Sequence, residues 1–193
     1  MTGAEQHRPG NFFVALPLEG DALVAAQALL VAAADRVEAV RWARPEGLHL
    51  TLHFFGRLPE ADQGRIMPLL APVATTVPPL DLRLGDLGRF PPRGPARVLW
   101  VGVSDGAAEV VKLADACRDI LGTAGFAADK RPHHPHCTLG RPKRWSSAQR
   151  AAWEGLHPGL QPSWHAGRLV LFESQQGRGG SRYLERDALS LTG

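Results

Sequence analysis

Two short stretches of this chain pair an imidazole with a hydroxyl at the same spacing. His49-Leu50-Thr51-Leu52 and His136-Cys137-Thr138-Leu139 share the pattern His-x-Thr-Leu, one in each half of the sequence. In a strand, residues i and i+2 point to one face and i+1 to the other. His49 and Thr51 therefore project together, as do His136 and Thr138, while Leu50, Leu52, Cys137 and Leu139 turn to the buried side. Imidazole ionises at a pH of roughly 6.5, so a facing pair can hold a base and an acid at once. In-line displacement at phosphorus needs both, on opposite sides of the atom. Two threonine hydroxyls can donate to the non-bridging oxygens, where charge gathers in the transition state. No metal is required. One His-x-Thr in a strand is a common accident; two copies, each followed by Leu, are a signal.

The elements that must carry these residues read as a mixture of strands and helices. Phe12 to Leu16 is a short apolar run stopped by Pro17, a buried strand. Asp21 is the expected N-cap of an Ala/Leu/Val-rich helix to about Val40. Pro45-Glu46-Gly47 makes a turn into the first motif strand, Leu48 to Phe55, ended by Gly56. A helix from Pro59 should kink or break at Pro68 and Pro72. Leu80 to Phe90 alternates as a strand with a bulge at Gly85, and Val98 to Val103 is another strand. Asp105 should cap a helix to about Gly122. The second motif strand, His134 to Leu139, is entered through Pro135. Ser146 or Ser147 caps a short helix around Trp153. Two late strands, Arg168 to Phe172 and Tyr183 to Leu189, flank a Gly-rich loop. There is no regular βαβ rhythm, so the class is α+β with largely antiparallel sheets. The repeated motif implies two pseudo-equivalent lobes facing one another.

Composition sets the outer bounds. The 193 residues are 44% hydrophobic and 21% charged, which suits one folded domain and excludes wholesale disorder. The formal net charge of +3 tolerates a phosphate-bearing partner without demanding one. Arginine far outnumbers lysine, which fits a GC-rich coding bias better than a phosphate reader. Two cysteines, Cys117 and Cys137, make neither a disulfide framework nor a thiolate zinc site. No apolar run approaches the roughly 18 residues of a membrane span. The opening residues lack a secretory leader, so a cytoplasmic protein is expected.

The stretches Leu48 to Gly56 and His134 to Arg141 resemble the paired signatures of the two-histidine phosphoesterases, and most of all the RNA 2′,3′-cyclic phosphodiesterase branch, also called 2′-5′ RNA ligase-like. The resemblance covers nearly the whole chain, residues 1–193 forming a single domain. It implies a bilobal α+β fold with two antiparallel sheets around a central cleft, and hydrolysis of RNA 2′,3′-cyclic phosphate ends to 2′-phosphomonoesters. Carried over by position, His49 is the proton donor to the departing 3′-oxygen and His136 the base that activates water. Thr51 and Thr138 hold the phosphate, and Arg141 meets the substrate. No cofactor is implied. The partners would be cyclic-ended RNA or small cyclic nucleotides, and the protein a monomer. Phe55 stands where Leu is usual in that family and Gly140 where a larger residue is usual. His53 is another departure. These touch substrate preference rather than chemistry.

Other residues carry weaker expectations. His53 shares a strand face with His49 and should reach the groove, as a substrate contact or a solvated histidine at its edge. His133 and His134 should shape the strand entry. His7, His157 and His165 read as surface residues. As strand residues, His49 and His53 sit about 13 Å apart, too far to share a metal ion. Arg178 and Arg182 could clamp phosphates or simply decorate a hairpin tip. Phe13 is the preferred aromatic to stack a nucleobase. Two rivals remain: a 2′-5′ ligase or small cyclic-nucleotide enzyme using the same site, and a non-catalytic RNA-end binding module.

Overall fold

The apolar runs and alternating stretches form strands where the sequence marks them. The fold, a computed structural model, describes residues 10–127, 131–159, 162–177 and 180–193. Its strands are β1 (Asn11–Pro17), β2 (Val40–Trp42), β3 (His49–Arg57), β4 (Leu80–Phe90), β5 (Val98–Asp105), β6 (His136–Pro142), β7 (Ser163–Ala166), β8 (Arg168–Gly177) and β9 (Gly180–Ser190). They run antiparallel in the order β7-β4-β5-β6-β3-β1-β8-β9, with β2 also on β6. The two expected sheets, β6-β5-β4-β7 and β3-β1-β8-β9, thus form one continuous surface. They join at a single registered pair, Leu50 opposite Cys137. Each half curls inward: Tyr183 of β9 touches His49 across two intervening strands, and Phe90 of β4 touches His136 across one.

The helices are α1 (Gly20–Arg36), α2 (Glu60–Gln63), α3 (Ile66–Thr76), α4 (Ala107–Thr123) and α5 (Ser147–Glu154). Helix α1 buries Ala22, Ala26, Leu29, Leu30 and Ala33, a stripe of helical period. It follows β1 yet packs on β2, β7 and α5 in the other half. Helix α4 follows β5 yet packs on β3 and α3. The lobes are therefore interleaved along the chain and are not its two halves. Their buried faces merge into one core that includes Leu16, Leu50, Leu70, Leu99, Leu113 and Leu139.

Local expectations divide by mechanism. Ser146 caps α5 in a reciprocal capping box with Gln149. The β4 bulge falls where expected, since Leu84 pairs with Val103 and Leu87 with Val101, leaving Gly85 and Asp86 opposite the single residue Gly102. The helix after Pro59 does break, but at Gly64 and Arg65: Pro68 lies in the first turn of α3, where no N–H donor is needed, and Pro72 is accommodated within the helix. Neither aspartate caps its helix. Asp21 lies inside the first turn of α1, and Asp105 ends β5 in an ion pair with Arg83, 3.0 Å away. Gly106 takes the α4 cap position with φ +79°, where a Cβ would meet Leu82 and the Asp81 carbonyl. The segment His134-Pro135 precedes β6, which starts at His136.

Candidate active site

Each motif histidine opens its strand, and each is oriented by its own backbone. His49 Nδ1 lies 2.7 Å from the Gly47 carbonyl, and His136 Nδ1 lies 2.7 Å from the His134 carbonyl. A carbonyl only accepts, so Nδ1 carries the hydrogen in both rings and Nε2 is left for chemistry. The turn Pro45–Gly47 aims the first carbonyl; Pro135 shapes the second approach. His49 Nε2 sits 3.1 Å from the Thr51 hydroxyl. The register through Leu50 and Cys137 sets His49 opposite Thr138 and Thr51 opposite His136. The two imidazoles are then diagonal neighbours on one face, in the range of roughly 7–8 Å between Cα atoms. The register puts these four side chains on one face of the sheet.

Aromatic rings hold both imidazoles. Phe13 stacks on His49 at 4.7 Å with 24° between planes, and Tyr183 meets it edge-on at 5.1 Å. Phe90 meets His136 edge-on at 5.0 Å, with Trp100 and His134 alongside. Burial in these walls pushes the His49 pKa down to about 4; the Gly47 carbonyl opposes this, and the charge of His136 adds to it. Burial also lowers His136, opposed by the His134 carbonyl and reinforced by His134 and Arg141. Both rings are thus neutral near pH 7 until an anion arrives. Phe13 is 3% exposed and braces His49, so it does not offer a face to a nucleobase.

A bulge follows each motif and decides what comes next. Across β1, Ala15 pairs with Thr51 but Val14 with His53, so Leu52 is extra. Across β5, Trp100 pairs with Thr138 but Leu99 with Gly140, so Leu139 is extra. The phase flips after each leucine. His53 therefore turns to the core: it is 5% exposed, sits 4.5 Å from the Phe55 ring, and its Nε2 lies 3.1 Å from the Ala127 carbonyl. It is neither a groove residue nor a solvated edge residue. The groove face passes to Phe54, 59% exposed, and to Arg141, also exposed. Phe54 went unnoticed in the sequence because unbroken alternation assigns it to the buried side.

The remaining candidates scatter. His133 is half-buried beside Asp115 and Arg118, with its pKa pushed down to about 4 chiefly by burial. His157 and His165 are exposed, His165 against Asp81. Arg182 is an exposed residue of β9, beyond the hairpin turn; Arg178 and His7 lie outside the described residues. Cys117 and Cys137 are buried, and burial pushes both thiols up to about 12. Among the described residues no three His, Cys, Asp or Glu side chains converge as a metal site would require, and no helix is long and apolar enough to cross a membrane.

This fold and doubled motif are those of the two-histidine phosphoesterases. The chain belongs to the 2′-5′ RNA ligase superfamily, whose family model matches residues 21–178. It is 32% identical over 155 residues to the RNA 2′,3′-cyclic phosphodiesterase of Geobacillus stearothermophilus, covering 79% of this chain and 45% of that protein. The Aeropyrum pernix protein of the same name is 39% identical over 98 residues, 51% of this chain and 54% of that protein. The chain thus spans about half the length of those two relatives. The Escherichia coli protein of that name is 30% identical over 158 residues, 80% of this chain and 82% of that one. Among solved structures, TT0787 of Thermus thermophilus superposes with a TM-score of 0.79 at 23% identity, covering 95% of this chain and 98% of that one. Escherichia coli LigT complexed with 3′-AMP superposes with a TM-score of 0.77 at 25% identity, covering 96% and 100%.

Proposed function

We propose that the protein hydrolyses RNA 2′,3′-cyclic phosphate ends to 2′-phosphomonoesters by paired-histidine acid–base catalysis that needs no metal. The observation that carries this reading is the Leu50–Cys137 register, which supports two imidazoles facing one phosphorus atom from opposite sides. The relatives named above as RNA 2′,3′-cyclic phosphodiesterases support the substrate class.

The neutral His136 Nε2 takes a proton from water as the water oxygen bonds to phosphorus. The P–O3′ bond breaks, and protonated His49 Nε2 delivers its proton to the departing 3′-oxygen. The products are a 2′-phosphomonoester and a free 3′-hydroxyl; solvent then returns the two rings to their starting states. Thr51, Thr138 and Arg141 stabilise the non-bridging oxygens as charge accumulates there. The substrate's own negative charge raises the His49 pKa from its depressed value, so binding loads the acid. Phe54 is the groove aromatic available to stack the terminal base. The protein acts as a monomer on this reading, within the cytoplasm.

With a 5′-hydroxyl in place of water, the same displacement of the 3′-oxygen forms a 2′-5′ linkage, the ligation that the superfamily name records. The deciding experiment incubates the protein with a 2′,3′-cyclic-ended oligonucleotide and identifies the oxygen that keeps the phosphate. A 2′-phosphate supports the proposal. A 3′-phosphate, or tight binding with no turnover, overturns it, the latter in favour of a non-catalytic end-binding module.

A further inference from the structure

Arg41 is an exposed side chain that the chemistry above does not use, and it has no carboxylate partner among the described residues. On β2 it lies directly opposite Arg141 of β6. Its neighbours Val40 and Trp42 turn to the core, where they crowd the position a Cβ on Gly140 would take. Arg41 therefore shares the groove face with Arg141. Like charges directly opposite one another on paired strands repel. The charges of both arginines also bear on the Tyr183 phenol, which stands against His49.

Tyr183 in turn lines a cavity of about 630 Å³. Its walls include Gly47, Phe172 and Tyr183, the surroundings of His49, together with Arg44 and Arg182. The Arg44 Nε is buried without a hydrogen-bond partner, and its nearest carboxylate, Glu46, is a long 3.7 Å away. Arg182 is exposed and has no ion pair among the described residues, while Glu185 in the same wall is already held by Arg168 at 3.1 Å. Under-neutralised guanidinium groups thus run from the groove into a cavity large enough for a nucleotide-sized ligand.

We propose that Arg41, Arg44 and Arg182 form a track for the phosphodiester backbone upstream of the reacting end, which makes the protein an oligonucleotide enzyme rather than a mononucleotide one. An upstream phosphate relieves the Arg41–Arg141 repulsion, and further phosphates follow Arg44 and Arg182. This rests on the cyclic-end reading above.

The test compares kcat/KM for a 2′,3′-cyclic-ended tetranucleotide and a 2′,3′-cyclic mononucleotide. Wild type should favour the tetranucleotide by about 10-fold or more. In Arg41→Gln and Arg182→Gln that preference should fall several-fold, through KM. The salt dependence on the tetranucleotide should become shallower by roughly 0.7 in log–log slope for each phosphate no longer neutralised. A wild-type preference near one, or a preference unchanged in both variants, overturns the track. If wild type turns over neither substrate, the cyclic-end reading fails separately. Fluorescence anisotropy with a 2′-phosphate-ended tetranucleotide then decides the track: weaker binding by the variants supports it, and equal affinities overturn it.

Discussion

Phe54 stands to His49 as Arg141 stands to His136: each lies five residues past its histidine, returned to the groove face by a one-leucine bulge. The pseudo-two-fold axis through Leu50 and Cys137 thus relates chemically unlike residues. An aromatic face flanks one motif and a guanidinium the other. A nucleotide, with a flat apolar base and an anionic phosphate, is asymmetric in the same sense, so the groove has a built-in direction.

The imidazoles should act as a unit. His49→Ala and His136→Ala should each lower kcat by about 10²-fold or more, in the range of a missing general acid or base. The double variant should be little worse than either single one, as non-additive catalytic groups behave. Circular dichroism melts should stay close to wild type. Turnover near the wild-type rate in the double variant would sink the mechanism.

Phe54 is so exposed that its removal should leave stability unchanged. Phe54→Ala should instead weaken substrate binding by about 1–3 kcal/mol, the usual worth of one base–aromatic stack. The loss belongs in KM, with kcat nearly intact. An unaltered KM would remove Phe54 from the substrate path.

The pH dependence has a definite sign. The proposed mechanism requires His136 neutral and His49 protonated, and both free-enzyme pKa values lie below the ordinary 6.5, His49 at about 4. The kcat/KM optimum should therefore fall on the acid side of 6.5. Bound phosphate anion raises His49, so the alkaline limb of kcat should lie at higher pH than that of kcat/KM. Superimposed limbs would contradict anion-assisted loading of the acid. Chelation by EDTA should leave both profiles unchanged.

Stability should share the same origin. His49 and His133 each have a folded pKa near 4 and an unfolded value near 6.5, so the unfolded chain binds more protons between those limits. Their contribution is fully present above pH 6.5 and is lost as pH falls toward 4. His133→Leu, which removes a buried Nε2 with no hydrogen-bond partner, should flatten the fall of Tm across that window. An equally steep fall would clear His133 of any part in it.

Reading the sequence recovered what period two encodes. Both motif strands, the shared face of the four motif side chains and the α+β class follow from alternation and the repeated His-x-Thr. It misassigned His53 and overlooked Phe54 for one reason: the bulge at Leu52 breaks the phase, and Leu52 is apolar whichever register holds. Strands β2 and β7 span only Val40–Trp42 and Ser163–Ala166, too short to display a pattern, so Arg41 was invisible as a groove residue. The Tyr183–His49 contact depends on the curl of distant strands, which no local window contains.

The crossed helices carry a last consequence. With α1 clasping the far lobe and α4 clasping the near one, no single cut yields a self-standing half. Fragments divided between the two motifs should each collapse without native order and regain it only when mixed. The two motif histidines thus belong to one cooperative unit, and neither lobe should unfold apart from the other.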